Sequence, residues 1–192
     1  MKDYYNEAFG FINSIHPISE SIFKKVYELS EFKQFENKTK IVNLGEVPHK
    51  LYFLSKGVLR SYAILENGKE LTKTLYTPMT FFTSLKALLA QKESNLIYET
   101  LSDCDVFQID YLAFDELCKN NLELMTFYSK LLEFLFIRVE EKYMEILALS
   151  ASSRYLSLRK RIPNIDNLIP QYQIAASLGI TPVQLSRIRA NL

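Results

Sequence analysis

The residues best suited to bind a charged partner lie near the C-terminal end of the chain, on a short predicted helix that begins at Pro182. Its face opposite the apolar residues carries the side chains that we expect to contact DNA: Thr181, Pro182, Gln184, Ser186, Arg187 and Arg189. Arg187 can reach a guanine with two hydrogen bonds, and Gln184 can bind an adenine or a phosphate. The remaining polar side chains suit phosphate contacts, and for Arg189 an ordinary surface charge is the alternative.

The elements around that helix have the pattern of a helix-turn-helix unit. The apolar residues of a preceding helix share one face: Ile174, Ala175 and Leu178. Gly179 can supply the left-handed residue of a turn, and Thr181 followed by Pro182 is typical of the start of a second helix. In such a unit the second helix enters the major groove of DNA, whereas a generic helical hairpin is the alternative.

The charge is distributed unevenly along the chain. Residues 150–192 contain six basic residues and one acidic residue, while the rest of the chain contains 17 basic and 21 acidic residues. A basic C-terminal unit on an acidic body indicates a partner with phosphates at that end.

A long helix is predicted immediately before this unit, over residues 121–150. The stretch contains neither Gly nor Pro, and apolar residues recur along it in steps of three and four. This seam consists of Met125, Tyr128, Leu132, Leu135, Val139 and Ile146, and it is interrupted by Lys142. Such a seam is typical of a helix that pairs with a second copy of itself in a coiled coil. A single core helix of a monomer is the alternative.

The residues before the long helix favour a β-rich domain. Two helices are predicted within residues 1–30, and from Thr39 onward short segments rich in β-branched and aromatic residues alternate with turns. Asn67 and Gly68 stand between two such segments, which predicts a β-hairpin. The fold class is therefore α+β, with an antiparallel sandwich or jelly roll in residues 1–120, a long helix at 121–150 and a helix-turn-helix unit at 151–192.

No other residues have the composition or spacing of a catalytic or metal centre. The sequence contains no Gly-rich phosphate loop and no nucleophile paired with a base. His16 and His49 are far apart and lack neighbours that could be ligands. Cys104 and Cys118 are too few for a disulfide framework, so we expect two buried thiols. We therefore predict that the protein is not an enzyme and holds no metal or cofactor.

The composition is that of a globular protein, with 48% hydrophobic and 23% charged residues. No apolar run approaches the roughly 20 residues of a membrane span, and the N-terminus lacks the pattern of a signal peptide. These features predict a cytoplasmic protein without a membrane segment.

Roughly residues 20–192 resemble the Crp/Fnr family of bacterial transcription regulators. The resemblance rests on Gly45-Glu46, on LYFLSKGVLRSYAI, on Asn67-Gly68-Lys69, on the loop after Pro78 and on IAASLGITPVQLSRIRANL. The SLGITPVQLSRIR form is similar to the branch common in Bacteroidetes-type bacteria. The resemblance implies a cyclic-nucleotide-binding-type β-roll, a long dimerisation helix and a C-terminal helix-turn-helix.

The resemblance also implies an effector pocket, which would be formed by Phe82, Thr83, Ser84, Ser94 and Asn95. Family members that bind cyclic nucleotides carry Phe-Gly-Glu in the pocket loop and Arg-Ser about ten residues later, where the Arg pairs with the phosphate. Here the two segments read Phe-Phe-Thr-Ser and Glu-Ser-Asn, so the ribose acceptor and the phosphate partner are both missing. We therefore do not expect cAMP to bind. The polar side chains could bind another small molecule, or they could be ordinary loop residues.

The expected function is that of a dimeric, sequence-specific DNA-binding transcription regulator. Its partners would be double-stranded DNA and a second copy of the chain, and RNA polymerase and an unidentified small-molecule effector are further candidates. The alternative is a small-molecule sensor module that acts through protein–protein contacts, as similar β-rolls do in kinase regulatory subunits. The basic helix-turn-helix unit argues against that alternative.

Overall fold

The structure is a computed structural model that describes residues 2–192, and it has an α+β fold in three parts. The first part consists of α1 (Lys2–Ile15), α2 (Glu20–Leu29), β1 (Glu31–Phe35), β2 (Lys40–Val42), β3 (Lys50–Lys56), β4 (Leu59–Ile64), β5 (Glu70–Tyr76), β6 (Thr80–Phe82), α3 (Leu85–Ala90), β7 (Ile97–Thr100), β8 (Cys104–Asp110) and α4 (Tyr111–Lys119). The rest consists of the long helix α5 (Leu122–Ala148), followed by α6 (Ala151–Arg161), α7 (Ile165–Leu168), α8 (Gln171–Ser177) and α9 (Pro182–Ala190).

The strands form two four-stranded antiparallel sheets, with the strand orders β1-β8-β3-β6 and β2-β7-β4-β5. The first sheet is covered on both faces, which explains why β3 does not alternate between apolar and polar residues. Tyr52 and Leu54 lie in the core between the two sheets, while Phe53 packs among the helices on the other side. On the neighbouring strand β8, Val106 and Phe107 divide between the two cores in the same way. The predicted α+β class with an antiparallel β-roll is confirmed.

Two glycine turns connect the strands of the roll. Gly68 has φ +77° in the turn between β4 and β5, so the predicted hairpin at Asn67-Gly68 is present. Gly57, between β3 and β4, has φ +93°, and a Cβ at this position would overlap the carbonyl oxygen of Asp103. A glycine is therefore needed at Gly57 both for its backbone conformation and for the close approach of β8.

Four helices cover the outer face of the β1-β8-β3-β6 sheet: α1, α2, α4 and the first half of α5. Their shared core includes Phe23, Phe114, Leu124, Phe127 and Leu131. Cys104 lies in the core between the two sheets, and Cys118 lies in the core beneath these helices. Both cysteines are free and buried, as predicted, and burial raises the pKa of each thiol to about 11. Among residues 2–192, no group of three or more His, Cys, Asp or Glu side chains could hold a metal ion.

The long helix α5 begins and ends at identifiable caps. The side chain of Asn121 accepts a hydrogen bond from the backbone of Leu124 at 2.9 Å, which satisfies a free N–H at the first turn. At the other end Leu149 has an extended backbone, and Ser150 caps the next helix by accepting from Ser153 at 3.1 Å. The predicted helix is thus present with slightly shorter bounds, and its 27 residues span about 40 Å.

The C-terminal helices α6–α9 pack around a core of their own, in which Ile165, Ile174, Ala175 and Leu185 are fully buried. Val58, from the turn between β3 and β4, belongs to the same core, and α8 lies against β5. The C-terminal unit is therefore docked on the sheet domain. No helix within residues 2–192 is long and apolar enough to cross a membrane.

Candidate functional sites

The turn between α8 and α9 has the hydrogen bonds of a Schellman motif. The backbone of Ile180 donates to the carbonyl of Ala175 at 3.1 Å, and that of Gly179 donates to Ala176 at 3.1 Å. Gly179 itself has φ +68°, the left-handed conformation that was predicted from the sequence. These contacts end α8 and set the direction in which α9 leaves it.

A capping box fixes the start of α9. The hydroxyl of Thr181 accepts from the backbone N–H of Gln184 at 3.2 Å, and the side-chain oxygen of Gln184 accepts from the backbone of Thr181 at 2.8 Å. Pro182 is the first helical residue, where the absence of an N–H costs nothing. The cap leaves the side-chain NH2 group of Gln184 outside the box, so this residue can still donate to a partner.

Five of the six residues predicted to contact DNA are exposed together on α9 and its cap: Thr181, Pro182, Gln184, Ser186 and Arg187. The opposite face of the helix is fixed by Leu185, which is fully buried, and by the partly buried Ile188. Among the residues that the structure describes, Arg187 forms no ion pair. Its guanidinium is therefore available for an external partner.

Arg189 is directed toward its own domain instead. Its Nε lies 3.7 Å from Oδ1 of Asp166, the single acidic residue of the C-terminal unit. The same carboxylate accepts hydrogen bonds from the hydroxyl of Tyr155 at 2.7 and 2.8 Å, and Arg159 approaches it to 3.5 Å. Arg189 is therefore neither a solvated surface charge nor a side chain directed outward toward a phosphate, the two roles that the sequence predicts for it. The signal for this internal pair in the sequence is that Asp166 is the single acidic residue in a basic segment.

The long helix α5 presents an exposed apolar stripe next to the flank that packs on its own domain. Four predicted seam residues lie on it: Met125, Leu132, Val139 and Ile146. Two residues that were absent from the predicted seam lie beside them, since Phe136 is 71% exposed and Tyr143 is 60% exposed. From Leu132 to Ile146 these positions follow each other in steps of four and three, which is the spacing of a heptad seam.

The other two predicted seam residues, Tyr128 and Leu135, are placed differently from the prediction. Both pack against the core that α5 shares with α1, α2 and α4, and the ring of Tyr128 contacts Phe114 edge-on at 5.4 Å. Lys142, two turns beyond Leu135 on the same side of α5, donates to the backbone carbonyl of Lys73 on β5. The apparent interruption of the seam at Lys142 therefore arises because this side of the helix faces the sheet domain. We call the exposed set Leu132, Phe136, Val139, Tyr143 and Ile146 the α5 stripe.

The polar residues of the predicted effector pocket bind their own loops. The hydroxyl of Thr83 donates to the carbonyl of Lys50 at 2.9 Å, and the buried hydroxyls of Ser84 and Ser94 lie 2.8 Å apart. Ser94 also accepts from the backbone N–H of Leu96 at 3.1 Å. These contacts bring the two predicted loops together and hold them closed against each other. Of the pocket residues predicted, Asn95 alone is exposed.

Aromatic rings fill the interior beside these loops. Phe82 is buried and stacks on Tyr52, with ring centroids 4.9 Å apart and an angle of 13° between the planes. Tyr98 lies on its other side at 5.8 Å and donates its hydroxyl to the carbonyl of Thr83 at 2.6 Å. Burial raises the pKa of Tyr98 and raises that of Tyr52 to about 12, so both phenols stay neutral. The rings beside these loops therefore offer a ligand no charge of their own.

Arg60, one of the residues that carried the family resemblance, is a structural residue here. It is buried, and its guanidinium donates to Glu99 at 2.6 Å and to Glu70 at 2.6 Å. It also lies 3.8 Å above the ring of Tyr62. These contacts join β4, β7 and the start of β5, and they leave Arg60 with its charge compensated inside the fold.

Comparison with known proteins agrees with this architecture. Residues 32–121 match the family model of the cyclic nucleotide-binding domain. A protein of uncharacterised function from Haemophilus influenzae is 31% identical over 81 residues, which are 42% of this chain and 62% of that protein. The match thus spans less than two thirds of that relative's own length.

Two solved structures are similar to most of the chain. FixK2 from Bradyrhizobium japonicum has a TM-score of 0.69 and 19% identity, with 85% of this chain and 84% of that chain covered. The c-di-GMP-responsive global regulator CLP from Xanthomonas campestris has a TM-score of 0.68 and 13% identity, with 90% and 91% covered. Residues 32–121 are therefore similar to cyclic nucleotide-binding domains, and the chain as a whole has the fold of the Crp/Fnr regulators.

Proposed function

We propose that this protein is a sequence-specific DNA-binding transcription regulator that works as a dimer. The observation that carries the proposal is the exposed polar face of α9, on which Arg187 is unpaired while Leu185 anchors the opposite face. A helix held in this way by a preceding helix and a tight turn can enter the major groove of DNA. Arg187 is then the residue to read a guanine, and Gln184 and Ser186 lie beside it for base or phosphate contacts.

Dimerisation through the α5 stripe would give the regulator its two-fold symmetry. The stripe is apolar, follows heptad spacing and lies next to the flank of α5 that packs on its own domain. Two copies paired along it would carry two α9 helices to half-sites about one DNA turn, or about 34 Å, apart. The operator would accordingly be roughly palindromic.

We do not expect the sensor domain to bind cyclic nucleotides. Thr83, Ser84 and Ser94 are engaged by their own loops, and the Phe82 ring fills the adjacent space. From Glu93 to Cys118 the sequence contains no basic residue, so the phosphate would lack a cationic partner. An uncompensated phosphate in a partly buried site costs several kcal/mol, and each 1.4 kcal/mol lowers the affinity about tenfold.

The melting temperature of the protein with and without a cyclic nucleotide tests this expectation. Millimolar cAMP or cGMP should leave it unchanged, because a ligand stabilises only the state that it binds. Binding at a hundredfold excess over Kd would add about 2.7 kcal/mol, a shift of several degrees. AMP serves as the control for general ionic effects. A rise of several degrees with cAMP that AMP does not reproduce would contradict our interpretation of the missing Glu and Arg.

The partners and location follow from this function. The protein would act in the cytoplasm, where its operator is accessible, and RNA polymerase is a candidate partner at the promoter. The Bacteroidetes-type branch stays a prediction, as does the absence of catalytic activity. The alternative function, a sensor module that acts only through protein–protein contacts, does not need an unpaired arginine on the exposed face of α9.

Selection of bound fragments from random DNA by the purified protein tests the proposal. We expect enrichment of a two-fold symmetric sequence, with binding that weakens as salt rises because phosphate contacts release counterions. An engineered chain that ends before α6 is the control for binding by the sensor domain alone. If the full-length protein enriches no sequence and its weak binding is equal on all fragments, the regulator function is wrong.

A further inference from the structure

A cavity lies between α5 and the sheet domain. Its volume is about 760 Å³, within the range of small-molecule sites, and it extends from α1 toward the C-terminal helices. The loops of the predicted effector pocket form only a small part of its wall. The largest contributions to the wall come from α5 and β5, and the α5 residues include Leu132, Val139 and Ile146 of the α5 stripe.

One end of the cavity is strongly basic. Its charged lining residues are Lys73 on β5, Arg138, Lys142 and Glu145 on α5, and Arg154 and Arg161 on α6. Five of these six are cationic, and they come from three elements that are distant in the sequence. Glu145 compensates only part of this charge, since its carboxylate lies 4.0 Å from Arg161 and also accepts from Ser157 at 3.0 Å. A net positive charge therefore remains inside the cavity.

Lys142 is the best placed of these cations to meet a ligand. It donates to the carbonyl of Lys73 and lies 3.3 Å from the hydroxyl of Thr74, but no carboxylate pairs with it. Burial, together with the charges of Arg161 and Lys73, lowers the pKa of its ammonium group to about 8. An anion beside this group would remove that destabilisation, because an opposite charge favours the protonated form.

The other end of the cavity is apolar. It is lined by aromatic and aliphatic side chains of α1, of α5 and of the segment before β6, among them Phe11, Met79, Phe81, Leu131 and Leu135. The rings of Phe11 and Phe81 lie 6.2 Å apart and close this end. A ligand that crossed the cavity would therefore meet hydrocarbon at the α1 end and Lys73, Lys142 and Arg161 at the other end, while Arg138 lies over the ring of Phe134 between them.

We infer that this cavity binds an amphipathic anion, a molecule with an elongated apolar body and one carboxylate or similar anionic head. The apolar body would lie between α5 and β5, and the head would be held by Lys142 together with Lys73 and Arg161. A nucleotide fits this wall poorly because its polar groups are spread along the whole molecule, whereas the cations are gathered at one end. Binding of the anion does not require DNA. Only its effect on DNA affinity rests on the proposed regulator function.

The consequence is a link between ligand and DNA binding. The head group would contact α5 and β5 on one side and Arg161 of α6 on the other, so it would join the sensor domain to the unit that carries α9. A ligand that holds two units in one arrangement changes DNA affinity by as much as it favours that arrangement. The amphipathic anion is thereby the effector that the cyclic nucleotide-like loops do not accommodate.

Three probes of equal chain length test the inference: decanoate, decanol and decyltrimethylammonium, each below its micellar concentration. Calorimetric titration of the dimeric full-length protein without DNA should show saturable binding of decanoate. Decanol should bind at least about tenfold more weakly, and the cation should not bind, because only the carboxylate can pair with the basic end. Lys142→Gln should lower decanoate affinity by about tenfold or more, whereas Lys130→Gln, on the exposed side of α5, should not change it.

Two further results decide the question. Arg161→Gln, at an exposed position that lines the cavity, should weaken decanoate binding in the same direction and serves if Lys142→Gln does not fold. Equal affinities for all three probes would overturn the inference. No binding by any probe would also overturn it, and this is the result expected if the α5 helix of the second copy fills the cavity. Decanoate binding without any effect on DNA affinity would leave the site in place and contradict its regulatory role. A protein that binds decanoate but no DNA would contradict the proposed function alone.

Discussion

Phe136→Glu is expected to convert the dimer into monomers and to lower affinity for the operator by about a hundredfold or more. Phe136 is the most exposed residue of the α5 stripe and would face its own copy across the two-fold axis. A glutamate there would bring two like charges together in an interface that excludes water. Glu133 and Glu140, one turn to either side on the same helix, would add to the repulsion. Sedimentation velocity and DNA binding would measure the two losses.

Ile137→Glu is the matched control for that experiment. Ile137 is the neighbouring residue, is exposed and apolar, and lies about 100° further around α5, outside the stripe. The control should stay dimeric and bind DNA as the natural protein does. Dimers that persist in Phe136→Glu, or that dissociate equally in both variants, would remove the α5 stripe from the account of dimerisation.

The elements of this fold were predictable because each has a strong local signal. The long helix contains no breaker between its caps, the hairpin at Asn67-Gly68 needs two residues that tolerate positive φ, and the turn at Gly179 is followed by a Thr-Pro helix start. Signals of this kind act within a few residues of the chain. The local structures that they specify therefore form largely independently of contacts with the rest of the molecule.

The direction in which α5 faces was not predictable in the same way. Both flanks of the helix are apolar, so two seams compete, one through Tyr128 and Leu135 and one through Phe136 and Tyr143. The choice depends on which flank meets α1 and the sheet domain, and these contacts join residues that are far apart in the sequence. Lys142 was the available clue, because a lysine suits the edge of the sheet domain better than the centre of a coiled coil.

The roles of single polar residues were the hardest to predict. Ser84 and Ser94 have the character of ligand-binding hydroxyls in the sequence, yet they meet each other across the two loops. Arg189 was grouped with Arg187 because both lie on the polar side of α9, but Asp166 binds only Arg189. A sequence indicates which side chains can form hydrogen bonds, whereas the fold decides whether a partner inside the protein already takes them.

Arg187→Ala is expected to weaken operator binding by about 2–6 kcal/mol in the dimer, because a guanine contact worth about 1–3 kcal/mol is lost at both half-sites. The preference for guanine at one position of each half-site should disappear while the other positions keep theirs. If Arg187 instead touches phosphate, affinity should fall evenly on all sequences, and the salt dependence should decrease by about one released counterion per half-site. Repeated selection from random DNA and a salt titration distinguish the two modes.

Arg189→Ala is the control, because it removes a neighbouring arginine that is bound to Asp166. It should lower the stability of the C-terminal unit and leave the base preference unchanged, since its guanidinium points toward α7 rather than toward DNA. The comparison therefore separates loss of a contact from loss of positive charge or of folding. If Arg187→Ala changes neither the base preference nor the salt dependence, Arg187 is not at the interface, and α9 does not lie in the major groove with this face toward the bases.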